Sequence, residues 1–525
     1  MPTLTIDNQQ VTVESGATIL AAARELGISI PTLCHRDDCR PQSSCLLCVV
    51  KVRGRDRYAP ACSTRAVDGM VIDNACEEIH LARRTALELL LSDHAGECLA
   101  PCQNICPAHM DVPKMIRQII ADDLHGAIET VKADIPLPAA LGRVCAAPCE
   151  AGCRHGTSGG PLSVCLLKRH VADVDLAAEA PYLPPKQPPT GKHVAIVGAG
   201  PTGLTAAYFL LQRGHACTIY ERDTQAGGRL RRDVHDGTLE AEVLDGEIGI
   251  IHRLGAEIRT EAALGDALTL GELRLNHDAV LLAVGQVVAD DVVRFGLSSS
   301  RYGIAVDGAS YLTEQPAVFA AGAATHRTKL AVHSVAEGKA VAACIDMHLR
   351  GQQPSAPGRP YSVNIGRLNE EELVQFIAAT DATARIAPAQ GLSRGFQIDE
   401  AIVEAQRCLA CACSCEETCG LRGFGMRYGA DPARYRGERR AFAVPLQRGN
   451  VAFDQGKCIS CGLCVEITRQ AGVRPGLTFV GRGFEMRLAV PFGRSFTEAL
   501  GDAAPRCIDA CPTGALSFTT SHFTL

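Results

Sequence analysis

The stretch Val194-Ala195-Ile196-Val197-Gly198-Ala199-Gly200-Pro201-Thr202-Gly203 decides how the middle of the chain folds. Four apolar residues in a row read as a buried strand. The glycines at 198, 200 and 203 permit a tight turn and let backbone approach a pyrophosphate at the amino terminus of the helix that follows, Leu204–Arg213. A second strand, Cys217-Thr218-Ile219-Tyr220, ends on Glu221, where a carboxylate that binds a ribose hydroxyl is expected. Strand, glycine loop, helix and acid stand in register as one nucleotide-binding unit.

Gly227-Gly228-Arg229-Leu230 comes next, and with it the segment resembles the disulfide-reductase-type flavoproteins. That resemblance implies FAD, held by Gly198, Gly200, Gly203, Glu221, Arg222, Gly228 and Arg229, with Gly322 from the returning segment Val318–Ala323. Ala323 stands where the family carries an aspartate against the ribityl chain, so altered FAD binding, or a fold kept for structure alone, is the alternative. About fifty residues separate Leu230 from the next strand, Asp278–Gly285, and they hold no second glycine fingerprint. One βαβ unit alone needs about thirty residues, so a second dinucleotide domain does not fit there.

Working outward, the 525 residues contain 25 cysteines, most of them in tight groups. Disulfide frameworks spread their cysteines, whereas metal sites gather them. The start MPTLTIDNQQ lacks the pattern of a secretory signal, and no run of about eighteen apolar residues is present. A cytoplasmic location with reduced thiols is therefore expected. Hydrophobic residues at 46% allow several buried cores, and a net charge of −6 argues against nucleic-acid binding. The expected class is multi-domain α/β.

Residues 1–90 read as a β-grasp unit: Thr3–Ile6 and Val11–Val13 alternate as a hairpin, and Ala17–Leu26 follows as a helix. Cys34, Cys45, Cys48 and Cys62 carry ten, two and thirteen residues between them. With Pro31-Thr32-Leu33-Cys34-His35, the pattern resembles the [2Fe-2S] domain of the large iron–sulfur subunit of NADH dehydrogenase and of hydrogenases.

Residues 91–180 carry His94, Cys98, Cys102 and Cys106, then Cys145, Cys149, Cys153 and Cys165, around a helical stretch from Val112 to Lys132. Gly142-Arg143-Val144-Cys145-Ala146-Ala147-Pro148-Cys149-Glu150 resembles the helical iron–sulfur domain of the glutamate synthase small subunit and of dihydropyrimidine dehydrogenase. The resemblance implies two [4Fe-4S] clusters, with Cys98, Cys102 and Cys153 on one and Cys106, Cys145 and Cys149 on the other. Lys168 occupies the family's Glu or Gln ligand position, and Cys165, three residues earlier on the same helical face, is the natural replacement. His94 stands in place of a family cysteine, as a ligand or as a structural histidine.

The linker Pro181–Pro189 holds five prolines and precedes the FAD-type domain at 190–350; a second break runs from Gly351 to Pro360. A helical region at 361–440 carries Cys408, Cys411, Cys413, Cys415 and Cys419, of which Cys408, Cys411, Cys413 and Cys419 are expected to bind a cluster, zinc being the alternative metal. In 441–525, Cys458, Cys461 and Cys464 with the remote Cys511-Pro512 form one bacterial-ferredoxin-type [4Fe-4S] set. Thr468 stands where a fourth cysteine of that run would be. Gly481–Phe484 and Pro512–Leu516 resemble the ferredoxin-like segment of iron-only hydrogenases and formate dehydrogenases.

One FAD, one [2Fe-2S] and up to four [4Fe-4S] clusters are thus expected, with no catalytic acid–base pair. The implied function is an electron-transfer subunit of a cytoplasmic multi-subunit oxidoreductase. It would relay electrons between an NADH-dehydrogenase-like flavin subunit and a catalytic formate dehydrogenase, hydrogenase or reductase subunit. A self-contained FAD and iron–sulfur enzyme using NAD(P)H is the alternative.

Overall fold

The computed structural model describes the chain except residues 158, 267, 328–329, 367, 379–383, 414, 416–417, 436, 438–445, 449–450 and 519–525. The chain forms two units: residues 1–100, 360–380 and 410–524 make one, and residues 101–359 with 381–409 make the other. The division crosses the expected domain order, because the chain leaves the second unit after Arg359, returns to it, and leaves again between Leu409 and Ala410.

In the first unit, β1 (Thr3–Ile6), β2 (Gln9–Thr12), β3 (Val49–Val52), β4 (Tyr58–Pro60) and β5 (Val71–Asp73) form one sheet in the order β2-β1-β5-β3-β4. β1 and β5 run parallel while the other pairs are antiparallel, the arrangement of a β-grasp fold. A helix, Ile19–Glu25, buries Ile19, Leu20, Ala22 and Ala23 on this sheet, and Thr18 caps it by accepting the Ala21 N–H at 3.2 Å. The carboxyl-terminal segment of the same unit pairs Leu446–Arg448, Val451–Phe453 and Leu516–Phe518 in a small antiparallel sheet.

In the second unit, β6 (His193–Val197), β7 (Ala216–Tyr220), β8 (Glu257–Arg259), β9 (Ala279–Leu282) and the strand Val318–Ala320 form a parallel sheet. The helix after β6 runs from Pro201 to Gln212, starting three residues earlier than expected because proline is well placed in a first helical turn. It packs against the long helix Ala331–Leu349. The span between Leu230 and β9 forms helices and β8, which extends the same sheet at its edge. Among the described residues no second dinucleotide sheet is present.

The helical stretch expected from Val112 to Lys132 consists of two helices, Val112–Ile120 and Leu124–Lys132. Asp122 adopts φ +56°, and Asp123 caps the second helix by accepting the Gly126 N–H at 2.9 Å. Apolar periodicity continues across the break, so spacing alone does not reveal it.

Candidate functional site

The glycine loop opens onto a cavity of about 530 Å³ at the carboxyl end of the parallel sheet. Gly198, Gly200, Glu221, Arg222, Gly228, Arg229 and Ala323 all line it. The volume suits a large organic cofactor. Gly200 caps the Pro201–Gln212 helix without a side chain, leaving its first-turn N–H groups for an anion. A side chain on Gly200 would meet only Gly228 Cα at 3.9 Å, so that wall stays open to a ligand.

Gly203 and Gly322 shape the site without lining it. A Cβ on Gly203 would lie 2.0 Å from the Gly198 carbonyl oxygen, so this glycine seats the helix on the loop. Gly322 has φ +73°, and its N–H donates to Glu337 Oε2 at 2.7 Å. Glu221 also differs from expectation: one carboxylate oxygen accepts the Ala199 N–H at 2.7 Å and the other the Asp223 N–H at 3.0 Å. Its rim position is kept, but its first task is to brace the loop. Val144, Arg232, Arg294 and Ser334 also line the cavity, and no motif announced them, since each arrives from a different segment.

Val144 precedes Cys145. In the same unit, the Cys165 side chain is in hydrogen-bonding contact with the thiols of Cys145 and Cys149. Lys168 is buried: burial alone would lower the ammonium's pKa, but the thiols of Cys165, Cys145, Cys149 and Cys106 raise it. Those four thiols therefore all act on one buried cation. Cys165 is fixed by its own N–H, which donates to Glu150 Oε1 at 2.9 Å. Cys102, on the helix Pro101–Ile105, packs with that helix against Pro148–Ala151, just before Cys153.

The first unit assembles the [2Fe-2S] motif. Cys34 Sγ lies 3.3 Å from Cys45 Sγ, and all of Cys34, Cys45, Cys48 and Cys62 are buried. The Cys45 thiol pulls the Cys34 pKa down and the Cys48 thiol pulls that of Cys62 down, while Cys45 and Cys48 are themselves pushed up. Thiolates so stabilised are ready metal ligands. Cys458, Cys461, Cys464 and Cys511 line one cavity, with Cys507 beside them. Thr468 contributes no ligand, its hydroxyl donating to the Cys464 carbonyl at 3.0 Å.

These two sets are neighbours. Cys34, Cys45 and Cys461 belong to one hydrophobic cluster, and the contact is bridged by Arg36 to Asp509 at 2.8 Å and Arg506 to Asp38 at 2.7 Å. The two ends of the chain, 473 residues apart at the Arg36–Asp509 pair, thus place their cysteine sets side by side.

Two of the expected groupings draw their residues from both units. Cys98 belongs to the first unit, whereas Cys102 and Cys153 belong to the second. Cys408 belongs to the second unit, whereas Cys411, Cys413 and Cys419 belong to the first. His94 lies in the first unit near Lys457 and Asp454; burial, then the Lys457 charge, pushes its imidazole down to about 4. Among the described residues no three Cys, His, Asp or Glu side chains close on a common point.

Fold and site together define a chain built of iron–sulfur and flavoprotein-type oxidoreductase domains. Three family models match it in succession: a 2Fe-2S iron-sulfur cluster binding domain over residues 1–76, dihydropyrimidine dehydrogenase domain II with its 4Fe-4S cluster over 82–180, and pyridine nucleotide-disulphide oxidoreductase over 161–338. The NADPH-Fe(3+) oxidoreductase subunit beta of Geobacter sulfurreducens is 37% identical over 189 residues, 35% of this chain and 28% of that protein. The NAD-dependent dihydropyrimidine dehydrogenase subunit PreT of Escherichia coli is 37% identical over 203 residues, 38% of this chain and 49% of its own length. The NADP(+)-dependent formate dehydrogenase subunit beta of Moorella thermoacetica is 35% identical over 233 residues, 40% of this chain and 32% of that subunit. The chain therefore spans half or less of these relatives. No helix among the described residues is long and apolar enough to cross a membrane.

Proposed function

We propose that this chain is an electron-transfer subunit of a cytoplasmic multi-subunit oxidoreductase, carrying FAD, one [2Fe-2S] and up to four [4Fe-4S] clusters. The observation that carries the reading is the continuity between cavity and thiols. Val144 forms part of the cofactor wall, and its neighbour Cys145 belongs to the Cys106, Cys145, Cys149 and Cys165 set. A flavin in that cavity has a cluster site as its neighbour, which suits one-electron exchange between them. The adjacent sets around Cys34 and Cys461 suit a second stretch of relay.

Hydride transfer to a flavin needs nicotinamide held against the ring, and orientation supplies much of the rate. The helices and edge strand between Leu230 and Ala279 offer no second dinucleotide fold among the described residues. Reducing equivalents accordingly enter through a partner, an NADH-dehydrogenase-like flavin subunit docking near Cys34–Cys62. They leave to a catalytic formate dehydrogenase, hydrogenase or reductase subunit. Two of the relatives are themselves named as beta subunits.

The test mixes NADH and NADPH, separately, with the isolated chain under anaerobic conditions in a stopped-flow instrument. Flavin bleaching is expected to be slow, and roughly eighteen irons per chain are expected by analysis, from one two-iron and four four-iron clusters. Rapid bleaching by either nucleotide would restore the self-contained enzyme.

A further inference from the structure

In the first unit, four thiols outside the two sets already described are fixed by backbone hydrogen bonds and close packing. Cys98 is buried; its carbonyl accepts the Cys413 N–H at 3.3 Å, and its Sγ accepts the Val363 N–H at 3.4 Å. Cys419 Sγ accepts the Arg422 N–H at 3.5 Å, and the next residue, Gly420, donates its N–H to the Pro512 carbonyl at 2.9 Å. Cys415 packs on Gly514 so closely that a Cβ there would lie 2.5 Å from its Sγ. Cys413 is therefore tied to Cys98, and Cys415 and Cys419 to Pro512–Gly514. Peptide N–H groups aimed at sulfur are the interactions that hold and tune thiolates in iron–sulfur centres.

A buried cation accompanies these thiols. Lys457 is 7% exposed, its Nζ lies 3.0 Å from Asp454 Oδ2, and it interacts electrostatically with Cys413 and Cys415. The 94–98 segment leans on the same place: the Ala95 N–H donates to the Gly456 carbonyl at 2.9 Å, and Gly96 lies against the Lys457 stem. A lysine buried with a single carboxylate is neutral as a pair, yet a cluster on four thiolates brings net negative charge. A fixed ammonium beside such a cluster favours its reduced form.

We propose that Cys98, Cys413, Cys415 and Cys419 hold one [4Fe-4S] cluster of their own, with Lys457 as the neighbouring charge that raises its potential. This rests on the relay reading and refines it. Cys98 leaves Cys102 and Cys153 without a four-ligand set, so the refined expectation is about fourteen irons rather than eighteen; Cys98 and Cys415 replace Cys408 and Cys411 in the tail set, and His94 is not a ligand.

The test is a double-variant iron count on the full anaerobic chain, checked by FAD content and the [2Fe-2S] signal. Cys98→Ser and Cys419→Ser are each expected to remove about four irons, the content of one such cluster, and the same electron paramagnetic resonance signal. Combined, they are expected to remove no more than either alone, while Cys408→Ser and His94→Ala leave that signal in place. Additive loss, or disappearance of the signal in Cys408→Ser or His94→Ala, overturns the assignment. A wild-type chain with few irons and no [4Fe-4S] signals would overturn the relay reading instead. Should Cys98→Ser not fold, Lys457→Met reads the same site with every thiol in place. It is expected to keep full iron and lower the midpoint potential of the signal that Cys419→Ser removes. A shift in a different signal, or in none, overturns the proposal.

Discussion

Glu221 Oε2 accepts the Ala199 N–H at 2.7 Å, so the acid that ends one strand of the parallel sheet braces the glycine loop that follows its neighbour. Replacing Glu221 by alanine strands that buried N–H, a loss of about 1–3 kcal/mol. Glu221→Ala is expected to lower both the melting temperature and the FAD content of the purified chain. Unchanged flavin retention would mean that the loop keeps its shape without the brace.

Gly200 and Gly203 should respond differently to the same substitution. A Cβ on Gly203 strikes the Gly198 carbonyl at 2.0 Å, whereas one on Gly200 finds its nearest atom at 3.9 Å. Overpacking of this kind costs about 1–3 kcal/mol. Gly203→Ala is expected to be destabilised by that order and to release FAD, while Gly200→Ala keeps its stability. Gly200→Trp should instead fill the cavity and exclude FAD with the [2Fe-2S] spectrum intact. Equal melting temperatures for the two alanine variants would refute the account of Gly203.

Arg407 is fully buried immediately before Cys408. It donates to Glu404 Oε1 at 2.8 Å and to the carbonyls of Gly159 and Gly160 at 3.0 and 2.8 Å. Glu404 in turn accepts the Ser163 N–H at 2.8 Å. Removing one member of a buried pair leaves the other charge uncompensated, at about 3–5 kcal/mol. Arg407→Met should lower the denaturation midpoint by that order, and a loss below about 1 kcal/mol would place the pair among those that contribute little.

Glu247 reports on pH. Burial pushes its carboxyl up to about 7, although the N–H groups of Ala140 and Ala139, at 2.9 and 2.6 Å, favour the ionised form. Its folded pKa lies above the unfolded one, so the folded state binds the proton more tightly. Stability from this group is present at low pH, declines as pH rises above about 4.5, and is fully lost above about 7. Relative to Glu247→Gln, the wild-type chain is expected to lose about 1 kcal/mol between pH 6 and pH 8. Parallel denaturation curves for the two proteins across that range would count against a raised pKa.

Much of the cofactor site is legible in the sequence. The strand, the glycine loop and Glu221 lie within 28 residues, from Val194 to Glu221, so local backbone rules decide them. The set of Cys458, Cys461 and Cys464 was legible for the same reason, since two residues between thiols place them on one turn. The break at Asp122 was not, because the apolar period runs through it while one backbone torsion changes sign. The cavity wall at Val144 and Arg294 was not either, because nothing local marks a residue that arrives from another segment.

The sequence by itself determined the chemistry: which residue types are gathered, the nucleotide loop, and the lack of room for a second dinucleotide domain. These follow from spacing, which short-range geometry converts directly into local structure. Only the tertiary structure decided company. Cys98 meets Cys413, and Cys34 shares a core with Cys461, across more than 300 residues of chain, because buried apolar surface from both ends closes into one core. Hydrophobic burial is not directional and leaves no mark in spacing, so partners that far apart become visible only once the core has formed.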